Sequence, residues 1–292
     1  MRRPILLFLM TASPLFCASH VYAPLASSFI NSINTSNGHQ TIVGLAGLHA
    51  QNFFLAPDGK TFFVMSSSGT LKAIQPSTGK TLAYKTTYPV YYNIDNIYDA
   101  YKPAFALTPD GSKLLVGTCG LAPNGCLEGF VEIFDTASAQ ELATISFNSD
   151  QVNGIAVTPD GQTAYVSQGN SITAISLATL TVGNSLVLVA PGQLGALGEL
   201  VLNSSGTLAY IAAAGFVGSL WEVNLPELTL ATQIQLSGAA RIAISPDGSA
   251  LCALTTTTNI FAGNDTLTCY QAPSLSAIGS VALPASSSVG PC

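Results

Sequence analysis

Charged residues are scarce in this 292-residue chain, where Asp, Glu, Lys and Arg together make up 8%. Nine basic residues stand against fifteen acidic ones. Binding to phosphate backbones needs a basic surface, so this balance argues against a nucleic-acid partner. Glu, Lys and Arg, which favour helices, are few, whereas Gly, Ser, Thr, Ala and Val are plentiful. That profile is typical of stacked β-sheets that are buried on both faces.

Signatures of cofactor binding and catalysis are also missing. The chain has no CxxC pair and neither a GxGxxG nor a P-loop pattern. It has three histidines, and no Ser-His-Asp or paired-carboxylate arrangement can be recognised around them. The sequence therefore predicts no cofactor and no metal.

Apolar runs long enough to cross a membrane are absent. The N-terminal run over residues 5–17 is broken by Pro14 and is shorter than the roughly 20 residues that a bilayer requires. It follows two arginines and precedes Val21-Tyr22-Ala23, whose small residues suit signal peptidase. We expect residues 1–23 to be a cleaved secretory signal, so that the mature chain is secreted, periplasmic or on the cell surface without a membrane span. An uncleaved anchor is the alternative.

The cysteines support this compartment. Cys119 and Cys126 bracket the turn-rich GLAPNG, and Cys252 and Cys269 flank a polar loop as cross-strand partners in a hairpin would. In an oxidising compartment we expect both pairs to be disulfides. A metal site is the alternative for these cysteines, although no histidine lies near them. Cys292, the last residue, is left over.

One short phrase recurs five times along the chain. The copies are FFLAPDGKTFFVMS (53–66), FALTPDGSKLLVGT (105–118), IAVTPDGQTAYVSQ (155–168), LVLNSSGTLAYIAA (200–213) and IAISPDGSALCALT (242–255). Their turn glycines, at 59, 111, 161, 206 and 248, are 52, 50, 45 and 42 residues apart. Periods near 40 to 50 residues are typical of propeller blades.

Each repeat predicts four antiparallel strands. An apolar strand runs into Pro-Asp-Gly, where Pro presets the first turn dihedral and Gly takes the left-handed position. A second strand, a loop of variable length, an alternating third strand, a short turn and a fourth strand follow. Four-stranded units repeated radially make a β-propeller, so we predict an all-β propeller domain over residues 24–284, with 285–292 as a tail or truncation point.

The phrase apolar-(S/T)-P-D-G, followed by a strand such as FVEIFDT (130–136), resembles the YVTN-type propeller repeats of bacterial secreted and surface proteins. The resemblance covers residues from about 50 to 284. No copy spells YVTN, AYVS and AYIA come nearest, and the fourth copy replaces PDG with SSG. The resemblance implies a propeller fold and export.

The blade count leaves two alternatives. Five complete repeats are preceded by residues 28–43, which we interpret as the third and fourth strands of a further blade. Its two inner strands are not found after Leu283. The chain is then a truncated part of a six- or seven-bladed protein, or else an unusual five-bladed ring with an added hairpin.

A tyrosine-rich segment is the first candidate site. Short, uniform turns mark one face of the predicted propeller as plain, and the irregular loops fall on the opposite, variable face, where function is expected. The longest connection there, residues 88–103, and the residues just before it hold six of the ten tyrosines. Tyr91, Tyr92, Tyr98 and Tyr101 are candidate ligand contacts, because tyrosine offers rigid apolar area with a polar tip. Packing of this loop onto its own blade is the alternative.

The start of the innermost strands is the second candidate site. We expect five residues to ring the axis on the variable face: Asn52, Ala104, Gly154, Glu199 and Arg241. Arg241 is the one arginine outside the predicted signal, and it has two possible roles. It binds an anionic ligand, or it pairs with Glu199.

The functional prediction is an exported recognition or scaffold module that binds a glycan, peptide or protein through its variable face. Asn52, Glu199, Arg241 and His49 belong to the candidate ligand-binding set together with the four tyrosines. A lactonase-like or lyase-like propeller enzyme, with His49 near the channel mouth, is one alternative. A structural surface-layer component is another, because propellers host all three functions.

Overall fold

The structure is a computed structural model of the whole chain. It describes residues 20–25, 29–34, 37–44, 50–56, 58–66, 71–75, 78, 80–88, 104–122, 125–147, 151–190, 196–214, 218–256 and 265–282. These residues form strands and turns and contain no helix. In particular, this described part holds no helix that is long and apolar enough to cross a membrane. The described residues fall into two compact units, divided between Lys85 and Thr86.

The first unit contains two antiparallel sheets. The three-stranded sheet has the order β1 (His20–Leu25), β2 (Phe29–Asn34), β3 (Gln40–Gly44). Blade 1 consists of β4 (Ala50–Leu55), β5 (Phe62–Ser66), β6 (Leu71–Gln75) and β7 (Lys80–Tyr84). The strand pair expected within residues 28–43 is present as β2 and β3. The sequence did not predict β1, which contains Ala23 and pairs this residue with Asn31.

The second unit contains four sheets of four strands, each antiparallel and in sequence order. Blade 2 is β8 (Phe105–Leu107), β9 (Lys113–Ala122), β10 (Gly125–Asp135) and β11 (Glu141–Phe147). Blade 3 is β12 (Val152–Val157), β13 (Thr163–Gln168), β14 (Ser171–Ser176) and β15 (Thr181–Val187). Blade 4 is β16 (Ala196–Leu202), β17 (Leu208–Ala214), β18 (Ser219–Asn224) and β19 (Thr229–Gln235). Blade 5 is β20 (Ala239–Ile244), β21 (Ala250–Thr256), β22 (Thr266–Gln271) and β23 (Ser276–Ala282).

The repeated phrase forms the inner hairpin of each blade, as the sequence predicts. In blade 3 the amide of Gly161 donates to the carbonyl of Thr158 over 2.9 Å, and Gly161 has a φ of 70°. The Asp160 carboxylate accepts hydrogen bonds from the Gln162 amide at 3.0 Å and the Thr158 hydroxyl at 2.6 Å. The other four turn glycines have φ values between 65° and 73°. This left-handed conformation is the one that glycine adopts without steric cost.

The fourth copy closes the same turn with different chemistry. Ser204-Ser205 replaces Pro-Asp there, so no turn carboxylate is available. Instead Asn203, one residue before the turn centre, accepts hydrogen bonds from the amides of Thr207 at 2.9 Å and Leu208 at 3.0 Å. The side-chain acceptor has moved, and the hairpin geometry is retained.

Successive blades of the second unit pack face to face. Alternate side chains of each strand point to opposite faces of the sheet, so every inner strand contributes to two apolar layers. Leu115 and Ile133 of blade 2 meet Ile155 of blade 3, and Tyr165 of blade 3 meets Trp221 of blade 4. A third layer joins Tyr210, Ala212 and Leu220 of blade 4 to Ala240, Ile242, Leu251 and Ala253 of blade 5. Each fully buried aliphatic side chain contributes about 1.5 to 3 kcal/mol, so these layers are the main source of stability.

Both predicted disulfides are present. Cys119 of β9 is bonded to Cys126 of β10, with Cα atoms 5.6 Å apart. Cys252 and Cys269 are directly opposite each other on β21 and β22, with Cα atoms 4.0 Å apart. Each bond therefore links neighbouring strands of one blade, in the pairing that the sequence predicts.

Candidate functional site

The start of the tyrosine-rich connection is held by a buried carboxylate. Glu132, at the centre of β10, is fully buried. One of its oxygens accepts a hydrogen bond from the Thr87 amide at 2.7 Å, and the other accepts from the Tyr88 amide at 3.0 Å and the Thr118 hydroxyl at 2.8 Å. A buried charge is costly unless it is hydrogen-bonded, and three donors meet that requirement. Glu132 therefore fixes both the position and the direction of the chain as it enters the connection.

An aromatic stack continues this anchor. The ring of Tyr88 lies on that of Phe130, with centroids 3.7 Å apart and an angle of 4° between the ring planes. Phe130 is buried, whereas Tyr88 is half-buried. The two rings are thus stacked nearly face to face, and the contact contributes mainly through the apolar area that it buries.

A two-stranded ribbon stands beside the stack. β9 and β10 remain paired up to Ala122 and Gly125, whereas β8 pairs with β9 only as far as Val116. Residues 118–122 and 125–128, which we call the ribbon, thus extend beyond the four-stranded part of blade 2. The Cys119–Cys126 disulfide ties its two strands together. In blade 3 the second and third strands are joined by the two-residue turn Gly169-Asn170. Blade 3 therefore lacks the extension that blade 2 has.

The surroundings of the stack are acidic and rich in hydroxyls. The Thr87 hydroxyl donates to Glu141 over 2.9 Å, so Thr87 is held by two glutamates. Glu128 of the ribbon accepts a hydrogen bond from the Ser146 hydroxyl at 2.5 Å. We refer to these residues together as the connection base: Thr87, Tyr88, Thr118, Glu128, Phe130, Glu132, Glu141 and Ser146.

The predicted tyrosine contacts follow this base in the sequence. Tyr91, Tyr92, Tyr98 and Tyr101 fall outside the described residues, as does His49, and their roles stay predictions. Glu132 was not among the site residues predicted from the sequence, although an acidic residue inside the otherwise apolar stretch FVEIF was a usable signal.

The inner strands show how Glu199 is used. β12 has a bulge between Val152 and Gly154, and β16 has one between Leu197 and Leu200. A bulge changes the direction of the side chains beside it. Here Asn153 and Glu199, one at each bulge, form hydrogen bonds with the backbone of the next blade. The Asn153 amide nitrogen donates to the Leu197 carbonyl over 2.8 Å, and Glu199 accepts from the Ile242 amide at 2.9 Å.

These two bonds clamp neighbouring inner strands to each other. Glu199 and Arg241 both lie in the second unit, and Arg241 is half-buried on β20. Asn52 lies on β4 of the first unit. A ligand role for these three residues remains a prediction. Glu199 also has a structural role, because it accepts the hydrogen bond from the Ile242 amide.

A second buried glutamate lies in blade 4. Glu222 of β18 is directly opposite Tyr210 of β17, and both are buried. Burial raises the pKa of Glu222, and a hydrogen bond with Tyr210 partly opposes that rise. Burial, together with the nearby Glu222, also raises the pKa of Tyr210. The second oxygen of Glu222 has no hydrogen-bond partner.

No group of three or more metal-binding side chains occurs among the described residues. The carboxylates of the Pro-Asp-Gly turns are each engaged within their own hairpin, as for Asp160 above.

Comparison with solved structures identifies the architecture. Among the structures that match is hydrazine synthase from Kuenenia stuttgartiensis, a β-propeller-containing protein. The TM-score is 0.59 and the identity 19%, with 82% of this chain and 69% of that chain covered. The fold is a β-propeller. At this identity the likeness concerns the fold of the four-stranded blades and not the activity of the other protein.

Sequence comparisons add no family. No protein-family model matches this propeller chain, and no curated protein matches it.

Proposed function

We propose that this propeller is an exported recognition module of the YVTN type, which binds a glycan, peptide or protein through its variable face. The working surface consists of the connection base and the tyrosines that follow it in sequence, Tyr91, Tyr92, Tyr98 and Tyr101. The observation that carries the proposal is the anchoring of this connection by Glu132. A loop that only links two blades has no need of a buried carboxylate with three donors, whereas a binding loop gains affinity when it is ordered in advance.

Export is the second part of the proposal. Two disulfides within single blades suit an oxidising compartment, and the N-terminal residues have the composition of a secretory signal. An exposed recognition surface on a rigid scaffold suits this environment as well.

The test is a glycan and peptide array probed with the unmodified chain and with a Tyr91→Ala/Tyr98→Ala variant. We expect binding by the unmodified chain and its loss in the variant. The matched control is Val182→Ala/Leu230→Ala, which removes two exposed apolar side chains from outer strands of blades 3 and 4. Equal binding by all three proteins would refute the tyrosine surface, and no binding by any of them would favour a structural component.

A further inference from the structure

One position of the third strand carries a carboxylate in blade 2 and in no other blade of the second unit. It lies opposite the fifth residue after the turn glycine and is occupied in turn by Glu132, Thr173, Trp221 and Thr268. Thr173 donates a hydrogen bond to Ser185, and Thr268 shares one with Ser280, each on the fourth strand of the same blade. Trp221 packs in an apolar layer. In the described part of the chain, Glu132 alone of the four binds the backbone of the connection that precedes its blade. Blade 2 is thus specialised at the position that binds the Thr87 and Tyr88 amides, where the tyrosine-rich segment begins.

We propose that Glu132 is a positioning residue for the binding surface, and that the site it prepares takes a neutral saccharide. This inference rests on the proposed function and names the ligand class.

The positioning role follows from the hydrogen-bond geometry. The two carboxylate oxygens accept from the amides of two successive residues, Thr87 and Tyr88, which sets the direction of the chain as well as its position. The Tyr88 ring is then placed on Phe130. Ordering the base before binding reduces the entropy that the ligand must offset.

The ligand class follows from charge and surface. The charged side chains that hydrogen-bond within the connection base, in its described residues, are the carboxylates of Glu128, Glu132 and Glu141. Carboxylates oppose an anionic ligand. Tyr88 follows Thr87, which binds Glu141, and its ring lies on Phe130, which is paired with Ser146. A half-exposed ring with carboxylate and hydroxyl groups on the neighbouring residues suits the apolar face and the hydroxyl groups of an uncharged sugar. A basic peptide would also tolerate the acidic charge, and the test separates the two.

The first arm measures positioning without any ligand. Glu132→Gln keeps the size of the side chain but replaces one acceptor oxygen by an NH₂ group, so one backbone amide loses its partner. We expect hydrogen exchange of peptides covering residues 87–88 to quicken by about tenfold or more, the range for loss of a hydrogen bond to a buried charge. Glu222→Gln is the matched control, since it changes a buried glutamate on the third strand of blade 4, and it should leave this exchange unchanged.

The second arm measures the ligand class. Neutral oligosaccharide and basic-peptide arrays are probed with the unmodified chain and with both variants. We expect the unmodified chain and Glu222→Gln to retain the same neutral saccharides, with binding by Glu132→Gln weaker by about tenfold or more. If Glu132→Gln does not fold, Thr118→Val removes one donor to the carboxylate and should shift both measurements in the same direction by a smaller amount.

The outcomes are separable. Unchanged exchange at residues 87–88 in Glu132→Gln overturns the positioning role, whatever binds. Retention of basic peptides instead of saccharides overturns the ligand class and leaves the proposed function intact. Faster exchange with no binding to either array supports the positioning role and overturns the ligand class, and the full glycan and peptide array then tests the proposed function by itself.

Discussion

At the scale of single residues, the turn between the third and fourth strands of blades 2 to 5 contains a residue with a strained, positive φ. Ala139, Leu180, Leu228 and Leu275 occupy the same place in the turn between the third and fourth strands, with φ values of 51° to 56°. Left-handed backbone costs about 1 kcal/mol or more for a residue with a Cβ atom. Leu228 and Leu275 are buried, which offsets the cost, whereas Ala139 has little side chain to bury. The first repeat has Gly79 at the equivalent place in the sequence.

Ala139→Gly is therefore expected to stabilise the protein. Relief of the left-handed strain should exceed the added flexibility of the unfolded chain, for a net gain of about 0.5 to 1 kcal/mol. The measurement is urea unfolding followed by the fluorescence of Trp221, the chain's single tryptophan, which is buried between blades 3 and 4. Ala143→Gly, in the strand β11, is the control and should destabilise by a similar amount. A loss of stability in Ala139→Gly would contradict the strain argument.

The turn aspartates are expected to make stability depend on acid pH. Hydrogen bonds from Thr108 and Ser112 lower the pKa of Asp110 from 3.8 to about 2, and those from Ser245 and Ser249 lower the pKa of Asp247 from 3.8 to about 2. A carboxyl group whose pKa is lower in the folded state stabilises the fold above its unfolded pKa. This contribution is lost as the pH falls through the folded value.

The test compares unfolding midpoints at about pH 5 and about pH 2.5. The unmodified chain should lose stability across this interval. Asp110→Asn/Asp247→Asn should be less stable than the unmodified chain at the higher pH and should lose less on acidification. An identical acid-induced loss in both proteins would show that these hydrogen bonds do not contribute.

At the scale of strands and hairpins, the close approach of neighbouring inner strands depends on a glycine. A Cβ atom at Gly154 of β12 would lie 2.8 Å from the Leu200 nitrogen and 3.0 Å from the Gly198 oxygen. Both neighbours are backbone atoms of β16, which have little room to move. Asn153, the residue before Gly154, donates to the Leu197 carbonyl. The close approach at Gly154 therefore lies next to the hydrogen bond that holds blades 3 and 4 together.

Gly154→Ala is expected to destabilise by about 1 to 3 kcal/mol, as overpacking of a tight contact does. Gly183→Ala on the outer strand β15 is the matched control, because a Cβ atom there meets its nearest neighbour at an ordinary 3.5 Å. Urea unfolding with Trp221 as the reporter measures both. Equal stability of the two variants would mean that the inner strands are not as close as described.

The outer strands illustrate what sequence patterns do and do not predict. The hairpin turns were predictable, because the left-handed dihedral of a glycine such as Gly161 is a local property. The fourth-strand bulges opposite Ile133/Phe134 and Thr173/Ile175 were not, because they depend on register with another strand. The same holds for Glu132, whose partners Thr87 and Tyr88 lie 45 and 44 residues away along the chain. No local pattern states that their amides meet its carboxylate.

At the scale of the whole molecule, composition and fold agree. The few charges, the abundance of small and β-branched residues and the repeat period all predicted a propeller, and the four-stranded blades confirm this class. The tyrosine contacts stay a prediction.

Mass mapping of the exported chain tests the compartment. We expect the mature N-terminus at Pro24, and under non-reducing conditions we expect Cys119 linked to Cys126 and Cys252 linked to Cys269. Cleavage after Ala23 would remove four of the six residues of β1. The mature chain would then keep only Pro24 and Leu25 of this strand. Free thiols at those four cysteines, or an N-terminus that retains residues 1–23, would contradict export in the proposed form.

The most direct test of the central claim is a hydrogen-exchange footprint of the unmodified chain, with and without the saccharide that the array retains most strongly. We expect protection of the peptides that cover residues 87–88 and 118–130 on the variable face, and no change in the Pro-Asp-Gly hairpins around Gly111, Gly161 and Gly248. Protection confined to those hairpins, or an array that retains no ligand, would contradict a recognition surface on the variable face.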